Sequence, residues 1–267
     1  MKDILSPKIT MLTTGSANSK RLVSNINVGD IFPTTRGGDV TVLAIDGYSK
    51  ILVRFNDSNA HEVTTDAGIL MKGNVKNPYT PMCCGVGYIG VGEFTSKKHA
   101  LAYAAWRDML RRCYDSKVQD KMPTYVGCSV HLDWHNFQNF AKWYTRHDYY
   151  DMGYHLDKDL LIRGNKIYSK DTCSLVPARI NTILTNLSSS KSKKLTGVTY
   201  QEDKGLFQAR IRNSGIVRNL GFFETEIEAH NAYVKGKERI VKMVALEHRY
   251  DMEESVFKSL MDWRFEL

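Results

Sequence analysis

The sequence predicts a multidomain α+β protein: a small β-barrel-like module, a largely helical central core, and a C-terminal three-stranded sheet with one helix. Three observations lead there. Val28–Thr65 holds short β-branched runs separated by glycine turns, and Ala100–Tyr144 carries apolar side chains at helical spacing. Thr196–Tyr233 holds three alternating runs and then a threonine-led helical pattern. At 267 residues the chain is long enough for two or three separate cores.

Residues 1–25 are rich in Ser, Thr and Lys without a period, which predicts a flexible arm. Residues 26–94 form the β module and a linker. Strands are expected at Val28–Phe32, Val40–Ile45 and Ile51–Phe55, with His61–Thr65 as a fourth, and the turns at Arg36–Asp39 and Asp46–Lys50 supply glycine. Short strands with glycine turns suggest a strongly bent barrel similar to Tudor or KOW modules. A scaffolding role and a binding role both stand for it. From Asn77 to Phe94, Pro78, Pro81, Gly85, Gly87, Gly90 and Gly92 punctuate the chain, and glycines at alternate positions let a backbone pass close to another surface. The order is not that of a phosphate-cradling loop.

Residues 95–187 make the central core. A helix capped by Thr95 or Ser96 is expected to bury Ala100, Tyr103, Ala104, Trp106, Met109, Leu110 and Cys113, leaving Arg107, Arg111 and Arg112 for solvent or phosphates. Val130, Trp134, Phe137, Phe140, Ala141, Trp143 and Tyr144 predict a second helix with a heavy aromatic face.

The net charge of +8 and pI near 9.1 favour a polyanionic partner. No apolar run approaches the roughly 20 residues of a membrane span, and Met1–Lys20 lacks a signal-peptide apolar core. Five irregularly spaced cysteines argue against a disulfide framework. A reducing cytoplasm is expected. The spacing of Cys113, Cys128, Cys173, His131 and His135 argues against zinc, because no Cys-x-x-Cys pair exists.

Within the central core, Trp106 to Tyr114, Tyr125, Trp134, Phe137 and Phe140 lead into Leu156-Asp157-Lys158, Gly164-Asn165, Tyr168-Ser169 and Cys173. This order resembles the HNH, or ββα-metal, nuclease core of phage proteins, over about Ala100 to Asn186. The resemblance implies that Asp157, Asp159 and Asn181 hold Mg2+, with Mn2+ able to substitute. Lys158 stands where the histidine base is expected, and at an ordinary lysine pKa of about 10.4 it is a poor base. His155 is then a base shifted by three residues, on the same strand face as Asp157 and Asp159 if the strand continues. Asn165 fixes the loop, and Tyr168 and Cys173 pack the core. Catalysis by His155 or Lys158 and a degenerate, non-catalytic fold both stay open.

Residues 188–245 form the third part, entered through the Ser/Lys stretch Ser188–Lys194. Strands are expected at Thr196–Tyr200, Leu206–Arg212 and Val217–Phe223. Arg210 and Arg212 lie on one face of the second strand, with Phe207, Ala209 and Ile211 on the other. Gly197-Val198, Phe207-x-Ala209-x-Ile211, Leu220-Gly221-x-Phe223 and Thr225 through Ala229 to Ala232-Tyr233 resemble the APETALA/ethylene-response-factor DNA-binding domain. That resemblance implies a sheet lying in the major groove, contacted through Tyr200, Arg210, Arg212 and Arg218. Lys191, Lys193, Lys194 and Lys204 would meet phosphates. Residues 246–267 predict a helical tail folded onto a neighbour or a partner.

The pairing of core and reader resembles phage-borne homing-type endonucleases. The expected function is sequence-selective binding of double-stranded DNA, with metal-dependent nicking or cutting. The alternative is a DNA- or protein-binding regulator or inhibitor with a degenerate HNH fold. A protein partner could dock on the N-terminal module or the tail, and no membrane association is expected.

Overall fold

The alternating runs of the N-terminal third form four antiparallel strands, β1 (Ile31–Pro33), β2 (Asp39–Ile45), β3 (Ile51–Phe55) and β4 (Glu62–Thr65), in the order β1-β2-β3-β4. The structure, a computed structural model, describes residues 25–185 and 195–265. Most of the expected arm and the Ser188–Lys194 stretch, with Lys191, Lys193 and Lys194, lie outside the described residues. The chain divides into two units, residues 1–93 with 135–138, and residues 94–134 with 139–267. As a whole it is a mixed α+β fold built on several small sheets.

In the first unit, Val40 and Val42 of β2 and Ile51, Val53 and Phe55 of β3 bury one sheet face. The sheet is open, correcting the barrel-like expectation, since β1 pairs only with β2 and β4 only with β3 among the described residues. Helix α1 (Ala67–Met71), whose N-terminus is capped by Asp66 accepting from Ile69 N at 2.8 Å, covers the apolar face with Ala67 and Leu70. A sheet covered in this way has no need to roll up on itself. Gly90 explains part of the glycine-rich stretch: a Cβ there would lie 2.2 Å from Asn136 Oδ1, where Tyr88 pairs with residues 135–137.

The second unit begins with α2 (Ala100–Tyr114), which buries Ala102, Trp106, Met109, Leu110 and Cys113. It starts later than the expected cap, because Thr95 Oγ1 accepts from Lys98 N (3.2 Å) and closes a separate turn ahead of the helix. After α3 (Ser116–Lys121) comes β5 (Ser129–Val130), then a 3-10 turn at Leu132–His135, and only then α4 (Phe137–Thr145). Val130 and Trp134 therefore precede the second helix rather than belonging to it. The buried Trp106 indole N–H donates to Trp134 O at 2.7 Å, which anchors that turn to α2.

The strands β6 (Tyr154–Asp157) and β8 (Ser174–Pro177) pair antiparallel, with Asp157 opposite Ser174, and α5 (Ala178–Thr185) follows directly. Between them, β7 (Ile167–Tyr168) pairs in parallel with β5. Further on, β9 (Val198–Gln201), β10 (Leu206–Asn213) and β11 (Ile216–Phe223) form an antiparallel sheet in the order β11-β10-β9. Helix α6 (Glu226–Glu247) packs on it, opened by a capping box of Thr225 and Glu228. Ala209, Ile211, Tyr233 and Val234 are buried between them. Gly197 (φ 84°) permits a close approach, since a Cβ there would meet the Tyr233 ring at 2.1 Å.

The tail forms α7 (Glu254–Met261), which folds onto its own chain. Its Val256 and Leu260 share one apolar core with Leu160, Val176 and Ile180 of the hairpin region and Val241 and Val244 of α6. No helix among the described residues is long and apolar enough to cross a membrane. All five cysteines are free thiols.

Candidate functional site

The β6–β8 hairpin and α5 place the residues singled out between His155 and Asn181. Strand alternation sends His155 to the exposed side of β6, and α5 brings Asn181 to it: the Asn181 amide lies 3.2 Å from His155 Nδ1. β6 ends at Asp157, so only His155 and Asp157 share its face. Asp159 lies beyond the strand, which corrects the expectation of three residues on one strand face. The strand stops there because Asp157 Oδ1 accepts from the backbone N–H of Asp159 (2.9 Å) and Leu160 (2.7 Å), turning the chain.

Lys158 is buried, and its ammonium donates to Asp159 Oδ2 at 3.0 Å. Burial works against its charge, but the Asp159 hydrogen bond and carboxylate prevail and hold the lysine above its usual range. Lys158 is thus an ammonium at neutral pH and takes no proton from water. Asn165 fastens the loop. Its Nδ2 donates to the carbonyls of Lys158 (2.6 Å) and Ile167 (2.7 Å), and its Oδ1 accepts from Ile167 N (3.1 Å). Tyr168 is fully buried beside Arg112, and burial pushes the Cys173 thiol up to about 12, which leaves it an inert packing group.

Asp157, Asp159 and Asn181 line two clefts. One, of about 480 Å3, is completed by Arg163, His230 and Trp263 among others; the second, of about 300 Å3, includes Arg112, Tyr125 and Lys166. Burial and then the Asp159 charge push the Asp157 carboxyl up to about 6. Its Oδ2 takes no hydrogen bond among the described residues. A carboxylate with one oxygen free of hydrogen bonds, in an open cleft that Asp159 and Asn181 also line, suits a hard, aquated ion such as Mg2+, which keeps several waters and takes one or two carboxylates. No group of three or more His, Cys, Asp or Glu able to cage a metal occurs among the described residues. Lys166, Trp263 and His230 carried no sequence signal, since their link to Asp157 is made only by folding.

The second candidate surface is the face of the β9–β10–β11 sheet turned away from α6. Directly paired residues point to the same side. Arg210 pairs with Asn219, Arg212 with Val217, and Gln208 with Thr199 and Phe222, so these residues share the outer face. Arg210 and Arg212 are exposed, Arg210 Nη2 donates to Thr199 Oγ1 (3.2 Å), and Gln201 Nε2 donates to Gln208 Oε1 (3.1 Å). Lys204 reaches over the Phe222 ring at 3.9 Å from its centroid.

Tyr200 and Arg218 do not join this set. Tyr200 pairs with Phe207 and Arg218 with Ile211, on the side that carries Ala209. The bulge between Ala209 and Arg210 explains Arg218: an unbroken ladder would pair it with Arg212, and the extra residue, Leu220, turns it over. Tyr200 lies at the sheet margin, half exposed and packed on Phe207 at 4.9 Å.

No family model, curated protein or solved structure matches this chain.

Proposed function

We propose that this protein binds double-stranded DNA through the outer face of the β9–β10–β11 sheet and nicks or cuts it at the β6–β8–α5 hairpin, as an HNH-like, homing-type endonuclease. The observation that carries the reading is the meeting of His155, Asp157 and Asn181 on one ββα hairpin, with His155 Nδ1 and the Asn181 amide 3.2 Å apart. As placed, Asn181 Nδ2 donates to His155 Nδ1; a half-turn of the amide would bring Oδ1 to the ring, where it would accept the Nδ1 proton and leave Nε2 as the lone pair that takes a proton from water. Lys158 fixes Asp159 instead of acting as a base. Asp157, with Asn181 beside it, would hold a divalent ion, Mg2+ or Mn2+, and such an ion supplies charge stabilisation at the phosphodiester and the leaving oxygen.

The sheet offers guanidinium and amide groups on one face: Arg210, Arg212, Gln201, Gln208 and Asn219. These are the side chains that read guanine and adenine edges in the major groove. Lys204 would meet a phosphate.

The Lys158–Asp159 ion pair favours a second reading, a DNA-binding regulator whose hairpin no longer cuts. A plasmid-nicking assay in Mg2+ and in Mn2+ separates the two. The cutting enzyme nicks, and Asp157→Ala and His155→Ala each lose at least about 100-fold. A wild type that binds a selected duplex but nicks no faster than either variant establishes the regulator.

A further inference from the structure

The smaller cleft beside Asp157 has one wall that the proposed chemistry has not used. Arg112, from α2, is half-buried, with its guanidinium stacked over the Tyr125 ring at 5.4 Å and the Tyr168 hydroxyl beside it. It makes no ion pair among the described residues. On the same cleft Lys158 is spent on Asp159, whereas Lys166 is exposed and touches only a carbonyl, donating to Thr124 O at 2.9 Å. The cleft therefore gathers two cations that make no ion pair among the described residues, Arg112 and Lys166, with Asp157 and Asn181. A partly desolvated guanidinium has lost water on its faces, and beyond its hydrogen bond to the Tyr168 hydroxyl it keeps N–H donors for a planar or tetrahedral oxyanion. The larger cleft that Asp157 also lines lacks this arrangement: its Arg163 lies over the Trp263 ring and donates to the Arg264 carbonyl.

We propose that Arg112, with Lys166, holds a non-bridging oxygen of a DNA phosphodiester in the roughly 300 Å3 cleft, so that the phosphate to be attacked lies between Arg112 and Asp157. This rests on the hairpin being a DNA site, and it fixes which of the two clefts the strand enters. Arg112 would contact the substrate directly, and Tyr125 would be a positioning residue that sets the plane of the guanidinium.

Two measurements on the full chain test it. In EDTA, the affinity for a random-sequence 20-base-pair duplex is followed against salt by fluorescence anisotropy, for wild type, Arg112→Ala, Arg112→Lys and Lys166→Ala. One lost phosphate contact lowers the slope of log K on log salt by about 0.9. In Mg2+, nicking of a plasmid is followed for the same proteins. We expect Arg112→Ala to lose about one unit of slope and at least 10-fold in nicking, Arg112→Lys to recover the slope but only part of the rate, and Lys166→Ala to lose less. A merely structural arginine would leave the slope unchanged in a folded variant, and circular dichroism melting reports folding for each protein. An unchanged slope in both folded Arg112 variants overturns the proposal. If wild type does not nick at all, the cutting function fails while a slope lowered by Arg112→Ala still upholds the phosphate site. Binding of inorganic phosphate at millimolar concentration that requires Arg112 but leaves duplex affinity unchanged would assign the site to free phosphate and overturn the DNA contact.

Discussion

Asp157, Lys158, Asp159 and Asn165 are bonded to one another or to the loop backbone, whereas Arg212 and Lys204 on the outer sheet face stand exposed with no ion pair among the described residues. The hairpin has to hold its own shape, because the 16 residues from Lys158 to Cys173 between its paired strands carry little regular structure, and their buried backbone groups need partners. The sheet is held from behind by α6 through Ala209, Ile211, Tyr233 and Val234, and its front adds only the cross-strand bonds of Arg210 to Thr199 and Gln201 to Gln208. The two regions differ in what a polar side chain does: in the hairpin it holds the loop backbone, whereas on the sheet Arg210, Gln201 and Gln208 bond to neighbouring side chains and Arg212 stands exposed.

That contrast breaks if truncating the sheet arginines harms folding, or if truncating the hairpin asparagine does not. The largest effect is expected from Arg210→Ala with Arg212→Ala. Each lost bidentate base contact costs about 1–3 kcal/mol, so together they should weaken binding to a selected duplex by at least about 100-fold. Urea unfolding should change by no more than about 0.5 kcal/mol, as for other exposed positions. Equal affinity for selected and random duplexes in wild type would remove the sheet from sequence reading.

A smaller effect, and one on stability, is expected from Asn165→Ala. It deletes three hydrogen bonds and leaves the Lys158 carbonyl and the Ile167 N–H short of a partner, while the Ile167 carbonyl keeps the Thr172 hydroxyl (2.7 Å), at a cost of about 2 kcal/mol by urea denaturation. A change below about 0.5 kcal/mol would mean that the loop is fastened elsewhere.

The smallest effect has the opposite sign. Because the folded Asp157 carboxyl is raised to about 6, the fold prefers its protonated form. The stability this lends is fully present below the unfolded value, about pH 4, and is lost as pH rises through about 6. Asp157→Asn keeps Oδ1 as acceptor for the two backbone N–H groups but removes the charge. It should stabilise the protein by about 1 kcal/mol near pH 7.5, with the gain fading towards pH 4. Destabilisation at neutral pH would show that the charge itself holds the loop.

Much of the fold was legible in local pattern. Alternation fixed the faces of β10, and Thr225 marked the start of α6. The illegible parts depended on distant partners. Nothing near Arg218 announces the bulge, because the extra residue is defined only by how β11 meets β10. Val130 and Trp134 fit a helical period, yet one is drawn into pairing with Tyr168 and the other is fixed by Trp106. At the site, Asp157 and Asn181 stood out by their order, while Lys158 near a phosphate looked like a misplaced base until its burial against Asp159 gave it other work. The two clefts that Asp157 lines were invisible, since Arg112 lies 45 residues before it and His230 73 residues after it.

Arg179, on α5, ion-pairs with Glu247 at the end of α6 (2.6 Å) and donates to Asn213 at the turn of the sheet (3.1 Å). Behind it, α5, α6 and α7 share a single apolar core. Hairpin and sheet are therefore set apart by packing and not by the reach of a tether. On a duplex seated on the sheet, the hairpin would act as a ruler, meeting the strand a constant number of base pairs from the sequence being read.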